Sequence, residues 1–154
     1  PCAEAALLVA EKTGLLASVF DACWVKPLPE EQILALAAES DALLLVEENS
    51  LLGGFSSAVL ELLADHDRLR HLRIRRLGLP DRFIAHGPVR RLRADVGLNV
   101  AGIASALKEL LPVSDASERR KDAGPPPPVN GAAAPSDTVW KQPFCAFCFW
   151  WQPM

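Results

Sequence analysis

The chain has 154 residues, of which 50% are hydrophobic and 23% are charged, and its formal net charge at pH 7 is −3. This composition is typical of a soluble globular protein, and the length suits one compact domain with little room for a second. The net charge is too small to indicate a class of partner, and the longest apolar runs are shorter than the ~20 residues that a membrane-spanning helix needs.

Apolar segments alternate with turn signals over residues 1–112, and this rhythm is typical of an α/β domain. The run Leu-Leu-Leu-Val at 43–46 is short and continuous, as expected for a parallel strand that is covered on both faces. The predicted helices cover 3–12, 30–40, 56–64, 89–96 and 100–111, and the predicted strands cover 15–20, 41–48 and 71–77. This alternation favours a parallel sheet with helices on its faces.

Local signals mark the ends of the predicted helices. Gly14 follows the first helix as a stop signal, and Asn99 is a good N-cap for the last one. Glu30 lies in the first turn of the second helix, where an acidic side chain complements the helix dipole. Gly53 and Gly54 permit a tight loop before the third helix. These signals agree with the α/β prediction.

The composition changes after Pro112. Residues 113–154 contain a short charged stretch, four consecutive prolines at 125–128 and a Gly-Ala-Ala-Ala-Pro segment. Proline and glycine at this density do not build a helix interior or a strand ladder. We therefore predict one domain over 1–112, followed over 113–154 by a disordered linker and an aromatic tail.

The four cysteines show no spacing typical of secreted scaffolds, which favours a reducing compartment. Cys145 and Cys148 have the spacing of half a zinc site or of a redox pair. A second such pair is absent, and Cys2 and Cys23 lie in unrelated context, so we predict no metal site. The aromatic residues near the pair suit contact with a membrane surface or another protein, but we favour a tail that was never selected to be buried.

Several segments resemble sequence motifs of one enzyme family, and they occur in the same order as in that family. Residues 19–29, VFDACWVKPLP, resemble the strand-to-loop segment of transketolase-type C-terminal domains. Residues 46–59, VEENSLLGGFSSAV, and 77–87, LGLPDRFIAHG, resemble segments of the 1-deoxy-D-xylulose-5-phosphate synthase family, and 97–103 is similar to its final helix entry. The 77–87 loop distinguishes this family from pyruvate dehydrogenase beta subunits. The resemblance covers about 3–111.

The resemblance implies a three-layer α/β/α fold with a parallel-rich sheet, as in transketolase C-terminal domains. The family's domain opens with a strand before the helix that matches 3–12, so we expect the first strand to be missing here and backbone groups along a sheet edge to be unpaired. Pro29 stands where the family usually has Asp, which removes a carboxylate cap. Ser56 replaces a glycine, so this position does not require a positive φ.

The resemblance also implies what the chain lacks. The synthase family joins pyruvate to glyceraldehyde 3-phosphate, releases carbon dioxide and forms 1-deoxy-D-xylulose 5-phosphate for isoprenoid and thiamine synthesis, using thiamine diphosphate and Mg²⁺. The family's Gly-Asp-Gly motif and its pyrimidine-activating Glu belong to the first two domains, which this sequence does not match. We therefore expect no catalytic, cofactor-binding or metal-binding residue in this chain, because the protein must position and activate the cofactor.

The candidate residues are domain-interface or structural ones, namely Glu48, Asn49, Gly53, Gly54, Asp81, Arg82 and His86. Glu47 and Glu48 point to opposite faces of a strand, which argues against a pair that shares a proton. We expect Glu48 to accept hydrogen bonds from the Gly53–Gly54 loop. His86 either reaches an active site from the domain surface or bonds a neighbouring domain, and Arg82 pairs with a phosphate or with another domain.

The segment from His66 to Arg93 contains nine arginines and only two acidic residues, whereas acidic residues dominate 1–65. Such a stretch is typical of a phosphate or nucleic-acid surface. No nucleic-acid-binding motif accompanies it, so we favour arginines that line strand edges, loops or a subunit contact. We expect no nucleic acid and no membrane among the partners.

Three functions are compatible with these observations. The first is a non-catalytic C-terminal module that packs beside the other domains of the synthase and supports its homodimer. The second is a subunit of a split thiamine-diphosphate enzyme that another chain completes. The third is a phosphate or nucleic-acid binding module. The expected location is the bacterial cytoplasm, with a plastid as the alternative.

Overall fold

The computed structural model describes residues 1–13 and 17–110, and the backbone of 146–151. In this part of the chain, helices and strands alternate as the sequence predicted, except that two helices follow the third strand. The elements are α1 (Cys2–Thr13), β1 (Ala17–Asp21), α2 (Glu30–Glu39), β2 (Ala42–Ser50), α3 (Phe55–Asp65), β3 (Arg73–Leu79), α4 (Val89–Asp95), α5 (Val100–Leu110) and β4 (Ala146–Trp151).

The four described strands form one sheet in the order β1–β4–β2–β3, and every pairing in it is parallel. Residues 42–46 of β2 are fully buried, with no exposed surface. This burial confirms that the apolar run forms a strand covered on both faces, because a parallel strand between two helix layers has no polar side.

Helices cover both faces of the sheet. On one face, α1 and α5 pack against Leu44 and Val46 of β2. On the other, α2 and α3 pack against Leu43 and Leu45. Successive side chains on a strand point to opposite faces, so one apolar strand serves both cores. The result is a three-layer α/β/α sandwich, which confirms the predicted fold class.

The helix ends follow the predicted chemistry. The Oδ1 atom of Asn99 accepts a hydrogen bond of 2.8 Å from the backbone N–H of Gly102, so Asn99 caps α5 as expected. Pro29 occupies the N-cap position of α2 and makes no side-chain cap bond, which confirms the predicted loss. Ser56 does not have a positive φ, again as predicted. Gly14 lies outside the described residues.

The first strand differs from its prediction. The sequence predicted a buried strand over 15–20, whereas β1 begins at Ala17 and exposes Ser18, Val19 and Asp21. The physical reason is its position, because β1 forms one edge of the sheet and pairs with a single described strand. An apolar pattern does not distinguish an edge strand from a central one.

A second difference concerns β4. The sequence placed no strand in 113–154 and predicted unpaired backbone groups where an inner strand was missing. In the structure, Ala146–Trp151 forms β4, which lies between β1 and β2 and pairs with both. The segment is rich in aromatic residues, which favour strands, and it satisfies the backbone groups that were expected to be unpaired. The remainder of the tail, 113–145 and 152–154, lies outside the described residues.

Candidate functional site

The candidate residues lie at one edge of the parallel sheet. Because all described strands run in the same direction, the loops that follow β1, β2 and β3 lie at the carboxyl edge of the sheet. The candidates lie in the last residues of β2, in the 51–54 loop and in the 80–88 loop. In open α/β sheets, ligands bind outside the carboxyl ends of the strands, so this edge is the natural place for a site.

The Glu47 carboxylate lies at this edge and is fully buried. Its Oε2 atom accepts a hydrogen bond of 2.7 Å from the backbone N–H of Phe55. Its Oε1 atom accepts bonds from the backbone N–H of Ser56, at 3.0 Å, and from the Ser56 hydroxyl, at 2.5 Å. The first N–H groups of a helix have no partner within the helix, so Glu47 serves as the cap of α3.

Gly54 makes this capping geometrically possible. A Cβ atom added at Gly54 would collide with the Glu47 carboxylate and with the carbonyl oxygen of Ser50. Gly53 has a different requirement, because its φ of 70° is left-handed and the space around it is open. The two glycines are therefore needed for close approach and for turn geometry, respectively.

The role predicted for Glu48 belongs to its neighbour. We expected Glu48 to accept hydrogen bonds from the Gly53–Gly54 loop, but it is Glu47 that accepts bonds here, from the backbone N–H groups of Phe55 and Ser56 directly after this loop. Glu48 points to the opposite face, where Nη2 of Arg93 lies 2.8 Å from both carboxylate oxygens and donates its hydrogen bond to Oε2. The prediction was wrong by one residue, and on a strand one residue changes the face.

The 51–54 loop is tied to its surroundings by hydrogen bonds. The Ser57 hydroxyl donates to the carbonyl oxygen of Leu51 at 2.9 Å and accepts from the backbone N–H of Gly53 at 3.2 Å. Nη1 of Arg76 also donates to the Leu51 oxygen, at 3.2 Å. This loop is therefore held at both ends.

A pocket of about 430 Å³ opens beside Glu48 and Arg93. Most of its lining is apolar, and the ion pair and His86 supply its polar groups. The lining residues are Glu48, Leu79, Ile84, Ala85, His86, Val89, Leu92, Arg93, Val96 and Leu98. A few polar groups in an apolar cleft are typical of a binding site. Of the seven candidates, the structure brings Glu48 and His86 together here.

The other candidates lie at the surface of the same edge. Asn49 is exposed, and its side chain accepts a local hydrogen bond from the backbone N–H of Ser50. Asp81 and Arg82 are exposed in a tight turn in which the N–H of Arg82 donates to the carbonyl oxygen of Pro80 at 2.7 Å. These side chains are available for contacts outside the domain.

Large apolar side chains are also exposed along this edge. Trp24 follows β1, Leu52 follows β2 and Phe83 follows β3. Phe83 is completely exposed, and 62% of the surface of Leu52 is accessible. Single exposed apolar residues are normal, but several on loops at the same sheet edge indicate a contact surface. Val89, at the start of α4, is also exposed. We call Trp24, Leu52, Phe83 and Val89 the apolar rim.

Most arginines of the 66–93 segment interact within the domain. Arg75 pairs with Glu109, Arg93 with Glu48, and Arg91 with Asp95. Arg76 bonds the 51–54 loop, and Arg68 and Arg73 also have partners. Several of these residues lie on β3, which is an edge strand of the described sheet, where charged side chains discourage pairing with other chains.

No group of three or more His, Cys, Asp or Glu side chains among the described residues is able to hold a metal ion. None of the described helices combines the length and apolar character that a bilayer crossing requires. Cys145 lies outside the described residues, and only the backbone of Cys148 is described.

Residues 1–103 match the family model "Transketolase, C-terminal domain". The chain belongs to the transketolase C-terminal domain family. The match includes the 51–54 and 80–88 loops, so the carboxyl edge is part of the family domain, whereas β4 lies outside the matched region.

Individual relatives of this transketolase C-terminal domain are named 1-deoxy-D-xylulose-5-phosphate synthase. The protein of Nitratidesulfovibrio vulgaris is 59% identical over 110 residues, which are 71% of this chain and 17% of the relative. The protein of Oleidesulfovibrio alaskensis is 54% identical over 110 residues, which are 69% of this chain and 17% of the relative. The chain therefore spans about a sixth of the length of the curated relatives that it matches.

Sequence reasoning missed two residues of this transketolase C-terminal domain, Glu47 as the cap of α3 and Arg93 as the partner of Glu48. The alternation of side chains gave no signal for the first. Glu47 shares a face with Leu43 and Leu45, which pack against α3, but Glu48 shares the other face with the equally apolar Leu44 and Val46. Arg93 carried no signal either, because its contact depends on where α4 lies.

Proposed function

We propose that this chain is the C-terminal domain of a 1-deoxy-D-xylulose-5-phosphate synthase and that it packs against the other domains through its carboxyl edge. The apolar rim carries this proposal, because Leu52 and Phe83 are exposed at the same sheet edge as the polar candidates Asp81, Arg82 and His86. An interface with apolar residues at its centre and polar ones around them is typical of domain contacts. The limited coverage of the relatives supports it further, since the rest of each relative supplies a surface for docking.

In the complete synthase, the proposed reaction joins pyruvate and glyceraldehyde 3-phosphate to form 1-deoxy-D-xylulose 5-phosphate and carbon dioxide, with thiamine diphosphate and Mg²⁺. We propose that this chain contributes packing and support of a homodimer in the bacterial cytoplasm rather than catalytic groups. The pocket residues do not fit a magnesium–diphosphate group. Among the described residues that line the pocket, Glu48 is the only carboxylate, and it is already bonded to Arg93. Such a group needs several oxygen ligands and a cradle of backbone N–H groups.

A binding experiment tests the docking proposal. The partner is the Nitratidesulfovibrio vulgaris relative, expressed without the region that this chain matches, and the dissociation constant is measured by biolayer interferometry. We expect Phe83→Ser to weaken binding by at least about tenfold, because exposed aromatic residues are frequent hot spots in interfaces. Leu7→Ser is the control, since Leu7 is also an exposed apolar residue, at 65%, but lies on α1. Equal effects of the two substitutions, or no binding of the unmodified chain, would contradict the proposal.

A calorimetric titration with thiamine diphosphate and Mg²⁺ tests the assignment of chemistry. We expect no heat of binding with this chain alone and binding once the other domains are present. Binding to the chain alone would refute the non-catalytic role. Formation of product only after a separately encoded natural partner is added would instead indicate a split enzyme.

A further inference from the structure

The pocket beside Glu48 and Arg93 contains two polar atoms whose hydrogen bonds are incomplete. Oε1 of Glu48, an acceptor, and Nε of Arg93, a donor, are buried and have no hydrogen-bond partner among the described residues. In native structures, buried polar atoms nearly always have a partner, which is a protein group or a bound molecule. The two atoms lie on side chains that line the same cavity, so one bound molecule is able to serve both.

The rest of the lining determines what kind of molecule fits. The cavity measures about 430 Å³, whereas a water molecule occupies only about 30 Å³ of liquid, so a single ordered water leaves most of the space empty. Most of the described lining is apolar, and it comes from the end of β3, the 80–88 loop, α4 and the residues after α4. These apolar residues are Leu79, Ile84, Ala85, Val89, Leu92, Val96 and Leu98. An occupant therefore needs an apolar body.

The ion pair decides the charge of the occupant. Glu48 and Arg93 carry opposite charges, and Nη2 of Arg93 lies 2.8 Å from Oε1 of Glu48, so the pair as a whole is neutral. A charged ligand that is attracted by one partner is repelled by the other, and it also loses its hydration in an apolar cavity. A neutral polar group avoids both costs.

A hydroxyl group matches the two unpartnered atoms. Its O–H donates to Oε1 of Glu48, and its oxygen accepts from the Nε–H of Arg93. One hydroxyl is able to reach both atoms, because Nε belongs to the same planar guanidinium as the Nη2 atom that lies 2.8 Å from Oε1. Two hydrogen bonds of about 2.8 Å through one oxygen span such a separation.

We propose that the pocket binds a small neutral molecule with an apolar body and a hydroxyl group, and that the hydroxyl bonds Oε1 of Glu48 and Nε of Arg93. The two side chains are 18% and 37% exposed, but these two atoms are covered, so binding turns the ion pair towards the cavity. The proposal does not rest on the proposed function, because all the residues that it uses belong to this chain.

A nuclear magnetic resonance titration of the full chain tests the ligand class. The probes are 4-propylbenzyl alcohol, its methyl ether and 4-propylbenzoate, at about pH 8, where imidazole groups are neutral. We expect the alcohol to bind with a Kd on the order of millimolar and to shift the amide signals of Leu79 and Ala85 and the Nε–H signal of Arg93. The ether accepts a hydrogen bond but donates none, so we expect the alcohol to bind at least about fivefold more tightly than the ether and the benzoate.

Three outcomes of this titration would overturn the proposal. Equal affinities of the alcohol and the ether would show that the hydroxyl donates to no protein group. A bound alcohol that leaves the Nε–H signal of Arg93 unchanged would show that the ion pair is not its partner. Absence of binding by every probe would leave water as the only partner of the two atoms.

Two kinds of variant locate the site and test its charge. Ala85→Trp enlarges an exposed residue of the lining, and we expect it to weaken binding of the alcohol at least about tenfold. Ala38→Trp is the matched control, because Ala38 is also exposed but lies on α2. Glu48→Gln leaves the charge of Arg93 unbalanced, so we expect the affinity for the benzoate to rise at least about tenfold relative to the alcohol. Equal binding by the two Trp variants, or an unchanged preference in Glu48→Gln, would overturn the proposal.

Discussion

The Glu47 side chain offers the sharpest test of how the carboxyl edge is built. Glu47→Ala removes an acceptor of three hydrogen bonds and leaves the backbone N–H groups of Phe55 and Ser56 without this acceptor in a fully buried place. Each buried donor left without a partner costs about 1–3 kcal/mol. Loss of a negative group at a helix N-terminus adds about 0.3–1 kcal/mol. We therefore expect the free energy of unfolding to fall by roughly 3–5 kcal/mol, allowing for partial rearrangement.

The neighbouring residue supplies the matched control. Glu48 has the same side chain on the same strand, but it points to the other face, is 18% exposed and bonds a single partner, Arg93. A partly exposed ion pair contributes about 1 kcal/mol or less, so we expect Glu48→Ala to cost about that much. Glu47→Gln keeps the shape of the side chain but places an NH₂ group near two N–H donors. We expect it to cost about 1–3 kcal/mol.

The assay is urea unfolding of the full chain, followed by far-ultraviolet circular dichroism and fitted for both the free energy and its denaturant dependence. A change in the midpoint at constant slope reports stability itself. The reasoning is refuted if Glu47→Ala costs less than about 1 kcal/mol, or if Glu48→Ala costs as much as Glu47→Ala.

Other substitutions test the local geometry by the same unfolding assay. Gly54→Ala forces a Cβ atom against Glu47 and the Ser50 carbonyl, so we expect the free energy of unfolding to fall by about 1–3 kcal/mol or more. Gly53→Ala meets no neighbouring atom but has a left-handed backbone, so we expect a fall of about 1–2 kcal/mol. A larger fall for Gly53→Ala than for Gly54→Ala would contradict this ranking. Asn99→Ala removes the α5 cap and is expected to cost about 0.5–2 kcal/mol, with faster exchange of the first α5 amides, and an unchanged midpoint would argue against the cap. Pro29→Asp supplies the cap that α2 lacks, so the midpoint is expected to rise, and a fall would show that the proline is better suited to this turn.

The fold was predictable where a local sequence pattern is compatible with only one kind of secondary structure. The run at 43–46 is too apolar for anything but a buried element and too short for a helix, and it forms the fully buried part of β2. Asn99 before an amphipathic segment predicted the start of α5, because its side chain satisfies a helix N–H. The resemblance to a known family then ordered these elements into three layers.

The site was less predictable, because its contacts depend on tertiary placement. The sequence selected the correct strand end but assigned the bonds near the Gly53–Gly54 loop to Glu48 instead of Glu47, since the face on which α3 lies is not encoded locally. The position of β4 was inaccessible for a similar reason. Local composition shows that a segment is able to form a strand, but its partners, here β1 and β2, lie more than a hundred residues away.

The adjacent glutamates link the architecture of the edge to its proposed docking role. Glu47 holds the start of α3 on one face of the sheet, and Glu48 holds α4 through Arg93 on the other. The loop that carries Leu52 therefore leads into a helix whose first turn is bonded to β2, and the loop that carries Phe83 leads into a helix tied to the same strand. A surface held in this way loses less conformational entropy when it binds than a mobile one. In the proposed docking role, the carboxylates of Glu47 and Glu48 would therefore keep the exposed apolar side chains in a preformed surface.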